Sequence, residues 1–218
     1  MRLPAKICGL STPDSVDAAV RGGAGYLGFN FFPPSPRFLE PEVAARLSAP
    51  ARAAGVRICA ITVHAGDDLV DRIARILDPD FIQLHGLEPP SRGAEVAART
   101  GAGVIRALPV GEPADLAVAL DWSEVADHLL LDARPPEGAT LTGGLGVPFD
   151  WTLTQDFRPP RPWFLAGGLD PWNVAEALDR SRAPMVDVSS GVERGPGLKN
   201  ATLISAFLDA VRRARPQA

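Results

Sequence analysis

The chain has 218 residues, 46% of them hydrophobic and 22% charged, which is the mixture of an ordinary globular protein. A formal net charge of −4 offers no footprint for nucleic acid or an acidic membrane, and no apolar run reaches the ~20 residues of a bilayer-crossing helix. Two cysteines, Cys8 and Cys59, make no disulfide framework, and MRLPAKICGL lacks the apolar core and small-residue cleavage site of a secretory signal, so the expected location is the cytoplasm.

In chain order, the first strand is AKIC at 5–8, ending on Cys8 just before Gly9. The helix STPDSVDAAV follows, with Ser11 or Thr12 as N-cap, Pro13 in its first turn and Gly22 and Gly23 at its stop. GYLGFNF (25–31) is the second strand, and the loop PPSPRF (33–38) leads from it into the helix EPEVAARL. VRICAITV (56–63) precedes the helix DDLVDRIARIL, DFIQLH (80–85) precedes PSRGAEVAART, and GVIRAL (103–108) precedes EPADLAVALD. HLLLDA (128–133) is followed by a weaker helical pattern, FDWTLTQ (149–155). WFLAG (163–167) and DPWNVAEALDR come next, then MVDVS (185–189), a possible short extra helix, and the closing helix NATLISAFLDAVRRA.

Most of these strands are near-continuous apolar runs, as expected of parallel strands covered on both faces. They recur at about 20–35 residues, the size of one βα unit. Eight such units with no linker predict an α/β fold, a single-domain (β/α)8 TIM barrel over residues 1–218, near the minimal length for that fold. A doubly wound open sheet would also alternate, but eight regular units favour closure.

Barrel chemistry sits where strands end. The residues there are Cys8, Asn30, His64, Gln83, His85, Arg106, Asp132, Gly167, Gly168, Asp187, Ser189 and Ser190. LAGGLDPWN and DVSSGVERGPG, after the seventh and eighth strands, read as a phosphate cradle, or as tight turns and a helix cap. Arg37 is either a bidentate grip for a carboxylate or phosphate, or a solvated arginine. Asp132, emerging from three leucines, reads as a general acid or as a rim ion pair with Arg134 or Arg106; Asp187 carries the same two readings. His85 is an acid or base, a substrate donor, or a packed rim histidine. His64 and His128 read as structural or surface residues, and Cys59 as a core thiol. Cys8 differs by standing at a strand end on the face of Asp132, where a thiolate of lowered pKa can take a proton that a carboxylic acid opposite returns. No HxH, HExxH or CxxC pattern supports a metal, and the glycine loops are not dinucleotide fingerprints.

Taken together, KICGL (6–10), GYLGFNFFPPSPRF (25–38), QLHG (83–86), LLLD (129–132), FDW (149–151), LAGGLDPWNV (165–174) and VDVSSGVERGPGLK (186–199) resemble the phosphoribosylanthranilate isomerase family, in the family's order. The resemblance implies an Amadori rearrangement of N-(5′-phosphoribosyl)anthranilate in tryptophan biosynthesis. It implies Asp132 as the acid that protonates the furanose oxygen and Cys8 as the base that removes the C2′ proton. Arg37 matches the residue that holds the anthranilate carboxylate. Gly167, Gly168, Ser189, Ser190 and Gly191 match the phosphate cradle, while Gln83, His85 and Asp187 match pocket positions. The resemblance implies no metal, no organic cofactor, a small phosphosugar as partner and no obligate protein partner. Two positions depart from the pattern: Leu145 stands where a small hydroxyl residue is expected, and His64 near a position more often asparagine. A different phosphosugar barrel is the second enzyme reading, and Cys8 at the first strand argues against it. A degenerate, binding-only barrel is the third, with Leu145 as its support.

Overall fold

The computed structural model describes residues 3–135 and 148–214. Strand β1 (Ala5–Cys8) pairs in parallel with β2 (Tyr26–Asn30), and the ladder continues through β3 (Arg57–Thr62), β4 (Phe81–Leu84), β5 (Gly103–Val110), β6 (His128–Ala133), β7 (Trp163–Leu165) and β8 (Met185–Val188). β8 then pairs with β1, bringing Asp187 beside Lys6, and the barrel is closed.

Successive side chains on a strand point to opposite faces. Ile7, Leu27, Ile58, Ile82, Leu129 and Val186 face outward into the core shared with the helices. Tyr26, Cys59, Phe81, Ile105, Leu130 and Phe164 face inward and fill the barrel. Both faces are therefore dry, which is why the strands read as unbroken apolar runs. At the N-terminal end, Tyr26, Phe81, His128 and Phe164 meet in edge-on and tilted contacts, with the Arg57 guanidinium over two of the rings. This end is plugged, so access to the interior is from the opposite rim.

Helix α1 (Pro13–Gly22) starts at Thr12, in a reciprocal capping box with Ser15, and stops at Gly23 in the left-handed conformation, φ 81°. α3 (Asp67–Leu77) and α4 (Pro90–Thr100) coincide with the predicted segments. α2 (Pro41–Ala53) runs on past the expected EPEVAARL through Pro50, α5 (Val174–Ser181) starts four residues into DPWNVAEALDR and ends one residue beyond it, and α6 (Ala201–Arg213) falls inside its segment.

Two helical expectations are corrected. EPADLAVALD forms a 3-10 helix, Pro113–Trp122, and FDWTLTQ supplies only a short one, Trp151–Thr154. Leu116, Ala119 and Trp122 recur every third residue and face the core, which suits three residues per turn. Val118 (43% exposed) and Leu120 (65%) lie off that stripe. The possible short extra helix after β8 is present in its shortest form. It is a single 3-10 turn, Ser190–Val192, followed by a hairpin of β9 (Glu193–Gly195) and β10 (Leu198–Lys199) that local patterning did not reveal. Leu145, in the loop after β6, lies outside the described residues.

Candidate active site

The C-terminal strand ends surround an open cleft lined by Cys8, Arg37, His85, Asp132, Asp187 and the loops after β7 and β8. Nearly every predicted site residue reaches it. Gln83 and Gly191 stand behind the lining instead, for different reasons.

Cys8 ends β1 and Asp132 lies near the end of β6, three strands away round the barrel. Asp132 Oδ1 accepts from the Ala133 amide at 2.9 Å, and Oδ2 lies 3.2 Å from His85 Nε2. Gln83, fully buried one strand repeat below His85, brings its Nε2 within 2.7 Å of His85 Nδ1. Neither rim pairing considered for Asp132 forms. Arg106 points outward, bonding Glu88 and the Gly86 carbonyl and covering the Trp122 ring. Arg134 pairs with Asp115 and Glu112.

Beneath Cys8, Lys6 is wholly buried and donates to Asp187 Oδ1 at 2.9 Å. Burial alone would lower the ammonium pKa, but the Asp187 carboxylate outweighs it, and Lys6 stays charged. Burial raises the Cys8 thiol, with Lys6 and Lys199 pulling it back down and Asp187 pushing it further up. The expectation of a thiolate with lowered pKa is therefore corrected for the free protein: desolvation exceeds the help from two ammonium groups. Asp187 is also raised by burial, against the pull of Lys6. Cys59, deeper in the barrel, is pushed up to about 12 and is the inert core thiol expected.

The glycine-serine loops meet at one side of the cleft. Gly167 and Gly168 adopt φ 78° and 66°, and a Cβ on Gly167 would stand 2.5 Å from the Ala133 amide nitrogen. Asn173 Nδ2 donates to the Gly168 carbonyl at 2.8 Å and holds that loop. Ser189 and Ser190 line the same wall. Gly191 does not; a Cβ there would lie 1.9 Å from the Leu169 carbonyl oxygen, so it is the point where the two loops press together.

Arg37 arrives on the loop after β2, its amide donating to Ser35 Oγ at 3.2 Å. Its Nε and Nη2 form a bidentate pair with Glu193 at 2.8 and 2.9 Å. Lys199 donates to Glu193 at 2.6 Å and to the Ser189 carbonyl at 2.8 Å, and Ser189 Oγ donates to the Cys8 carbonyl at 3.2 Å. Gly9 has φ 74°, and a Cβ on it would stand 2.5 Å from Arg37 Cδ. The missing side chain lets the chain turn away after the thiol while Arg37 crosses over it.

Sequence reasoning missed Lys6, Glu193, Lys199 and Glu88. A lysine two residues before Cys8, hence on the same strand face, was the available signal for Lys6. His64 (φ 48°) accepts from the Leu87 amide through Nε2, and its own amide donates to Glu88 at 2.7 Å; with His128 in the aromatic plug, both act structurally. Among the described residues, no three His, Cys, Asp or Glu side chains converge as a metal site, and no helix is long and apolar enough to cross a membrane.

A closed (β/α)8 barrel with thiol, carboxyl and glycine-serine loops gathered at one rim defines the class of barrel enzymes. The family model for N-(5′-phosphoribosyl)anthranilate (PRA) isomerase matches residues 5–210. The chain is 59% identical to the N-(5′-phosphoribosyl)anthranilate isomerase of Caulobacter vibrioides, over 97% of this chain and 96% of the relative. It is 48% identical to that of Parvibaculum lavamentivorans, over 98% and 100%. The solved phosphoribosyl anthranilate isomerase of Thermotoga maritima superposes with a TM-score of 0.85 at 34% identity, covering 96% of this chain and 98% of that one. Another, solved in complex with reduced 1-(o-carboxyphenylamino)-1-deoxyribulose 5-phosphate, gives 0.81 at 33%, with 96% and 98% covered. The chain belongs to the N-(5′-phosphoribosyl)anthranilate isomerase family.

Proposed function

We propose that this chain, as a single cytoplasmic barrel domain, carries out the isomerase step of tryptophan biosynthesis that converts N-(5′-phosphoribosyl)anthranilate into 1-(2-carboxyphenylamino)-1-deoxyribulose 5-phosphate. The carrying observation is that Cys8 and Asp132 line one cleft from strands on different sides of the barrel. The relative solved with a reduced deoxyribulose phosphate supports a ligand of this class.

In this reading Asp132 gives its proton to the furanose oxygen as the bond from that oxygen to C1′ breaks. The anthranilate nitrogen lone pair forms the C1′=N bond of a Schiff base. Cys8 thiolate then removes the C2′ proton, the electron pair moves toward nitrogen, and the enolamine tautomerises to the ketone. Because burial raises the thiol, Cys8 must lose its proton before it acts, with Lys6 and Lys199 stabilising the anion. The phosphate lies against Gly167, Gly168, Ser189 and Ser190, with Gly191 setting their spacing. Arg37, braced by Glu193, faces the anthranilate carboxylate, and His85 and Asp187 complete the wall. The substrate nitrogen serves as electron sink, so neither metal nor organic cofactor is called for.

Anthranilate fluorescence with freshly made substrate tests this. Wild type is expected to outpace spontaneous decay, and Cys8→Ser and Asp132→Asn each to lose about 10²–10⁴-fold in kcat. A wild type no faster than decay ends the proposal. A loss of only a few-fold in Cys8→Ser moves the base to Asp187.

A further inference from the structure

Gln83 is buried inside the barrel, yet its Oε1 has no hydrogen-bond donor among the described residues. A buried carbonyl oxygen without a donor costs ~1–3 kcal/mol. The other end of the same amide is well used, with Nε2 lying 2.7 Å from His85 Nδ1. With the amide in this orientation its NH2 donates, so Nδ1 accepts and the ring proton sits on Nε2. From there it points at Asp132 Oδ2, 3.2 Å away. In this arrangement the His85–Asp132 pair holds one proton, and Asp132 is a carboxylate with nothing to give.

The acid step needs a second proton on the pair. That proton makes His85 Nδ1 a donor, and an amide NH2 facing it then becomes a clash of two donors. Rotation of the Gln83 amide about its last torsion exchanges NH2 for Oε1 with no change in shape. The unused oxygen is the acceptor the second state requires.

We propose that Gln83 is a positioning residue that follows the proton load of the His85–Asp132 pair, donating to His85 while the pair holds one proton and accepting from it once the pair holds two. The inference rests on the isomerase reading for its catalytic consequence, but not for its geometry. The second proton comes from solvent water in the cleft. With Nδ1–H held by Oε1, the Nε2 proton passes to Asp132 Oδ2, and from there to the ring oxygen as the bond to C1′ breaks. Asp132 is left a carboxylate and His85 the Nδ1–H form, and exchange with solvent water returns the ring proton to Nε2 as the Gln83 amide turns back.

The charged groups around the pair are Asp187 with Lys6 and Cys8 on one side. On the other, Glu88, Arg106 and His64 gather around Gly86, next to His85. None of these bonds to the His85 ring, whose two nitrogens face Gln83 and Asp132.

The test is 15N NMR of the histidine side chains across pH in the full chain, with His64 and His128 as internal references and His85→Asn to assign the third. Wild type is expected to show neutral His85 as the Nε2–H form. Gln83→Met removes both partners, and neutral His85 should become a mixture of tautomers. Gln83→Glu, when ionised, offers only acceptors, so His85 should hold a proton on Nδ1. Near-UV circular dichroism checks that both variants fold, and the Glu variant's further displacement, past a mixture to the Nδ1–H form, distinguishes tautomer control from general disturbance. In turnover, Gln83→Met should lower kcat about tenfold, a part of the ~10²–10⁴ an acid supplies, with KM within about threefold. A His85 titration identical in all three proteins overturns the proposal, as does a change confined to KM. If the tautomers move as stated but wild type does not isomerise the substrate, the isomerase reading fails and the Gln83 assignment stands.

Discussion

Cys8 and Asp132 line the cleft, and beneath Cys8 a charged residue, Lys6, stands inside the barrel. It is wholly buried and its hydrogen bond goes to Asp187, which is itself buried and raised by desolvation. Breaking a buried pair from one side leaves an uncompensated charge and costs ~3–5 kcal/mol, whereas replacing both partners by apolar residues is often near neutral. Lys6→Met is therefore expected to lose about that much stability in urea unfolding, and Lys6→Met/Asp187→Leu to recover most of it. A single variant within 1 kcal/mol of wild type would show the pair to be dispensable. The same substitution should slow alkylation of Cys8 at a given pH, because one of the two ammonium groups that oppose the burial of its thiolate is gone.

At the scale of elements, the β9–β10 hairpin ties together parts of the chain that bracket the cleft. Glu193 holds Arg37 by two bonds, Lys199 joins Glu193 to Ser189, and a Cβ on Gly197 in the turn would meet the Pro36 carbonyl at 2.4 Å. Burial, which would raise the Glu193 carboxyl, is outweighed by Arg37 and Lys199, so its pKa lies below the usual 4.5. A depressed carboxyl contributes stability that is present above the unfolded value and is lost as pH falls through the folded one. Glu193→Gln should therefore flatten the loss of melting temperature below about pH 4.5, and raise KM for the substrate about tenfold by removing the carboxylate that braces Arg37, with a smaller effect on kcat. An unchanged acid limb would mean that other carboxylates carry it.

Across the whole molecule, the two ends of the barrel have opposite jobs. The N-terminal end is closed by the aromatic plug around His128, and the C-terminal end is open and polar. Burial lowers the His128 pKa below 6.5, with Asp127 opposing and Arg57 assisting. A neutral, buried imidazole contributes stability above its unfolded value that is lost as pH falls through the folded one. Thermal melts should thus show stability declining from about pH 6.5 downward, before the carboxylates titrate, and His128→Phe should reduce that slope. A slope identical in the variant would assign it elsewhere. Such a loss would act on the scaffold without touching the cleft, so activity at permissive temperature should stay near wild type.

Local pattern was enough for much of this. HLLLDA, DDLVDRIARIL and PSRGAEVAART form β6, α3 and α4 with the residues the pattern named, because strand and helix periods are properties of the backbone that neighbouring residues reveal. Strand-end position then placed Cys8, Asp132, His85 and the glycine-serine loops on one rim, since a parallel barrel sends all its C-terminal ends the same way. EPADLAVALD misled because apolar residues on a three-residue repeat also fit an α-helical count. What only the tertiary structure decided is who pairs with whom. Lys6 and Asp187 are 181 positions apart and Arg37 and Glu193 are 156 apart, and barrel closure rather than any local spacing makes them neighbours. The same closure buries Cys8, so its charge is set by groups from both ends of the chain. A strand's residues determine which way a side chain faces; only the ring of eight determines what it meets there.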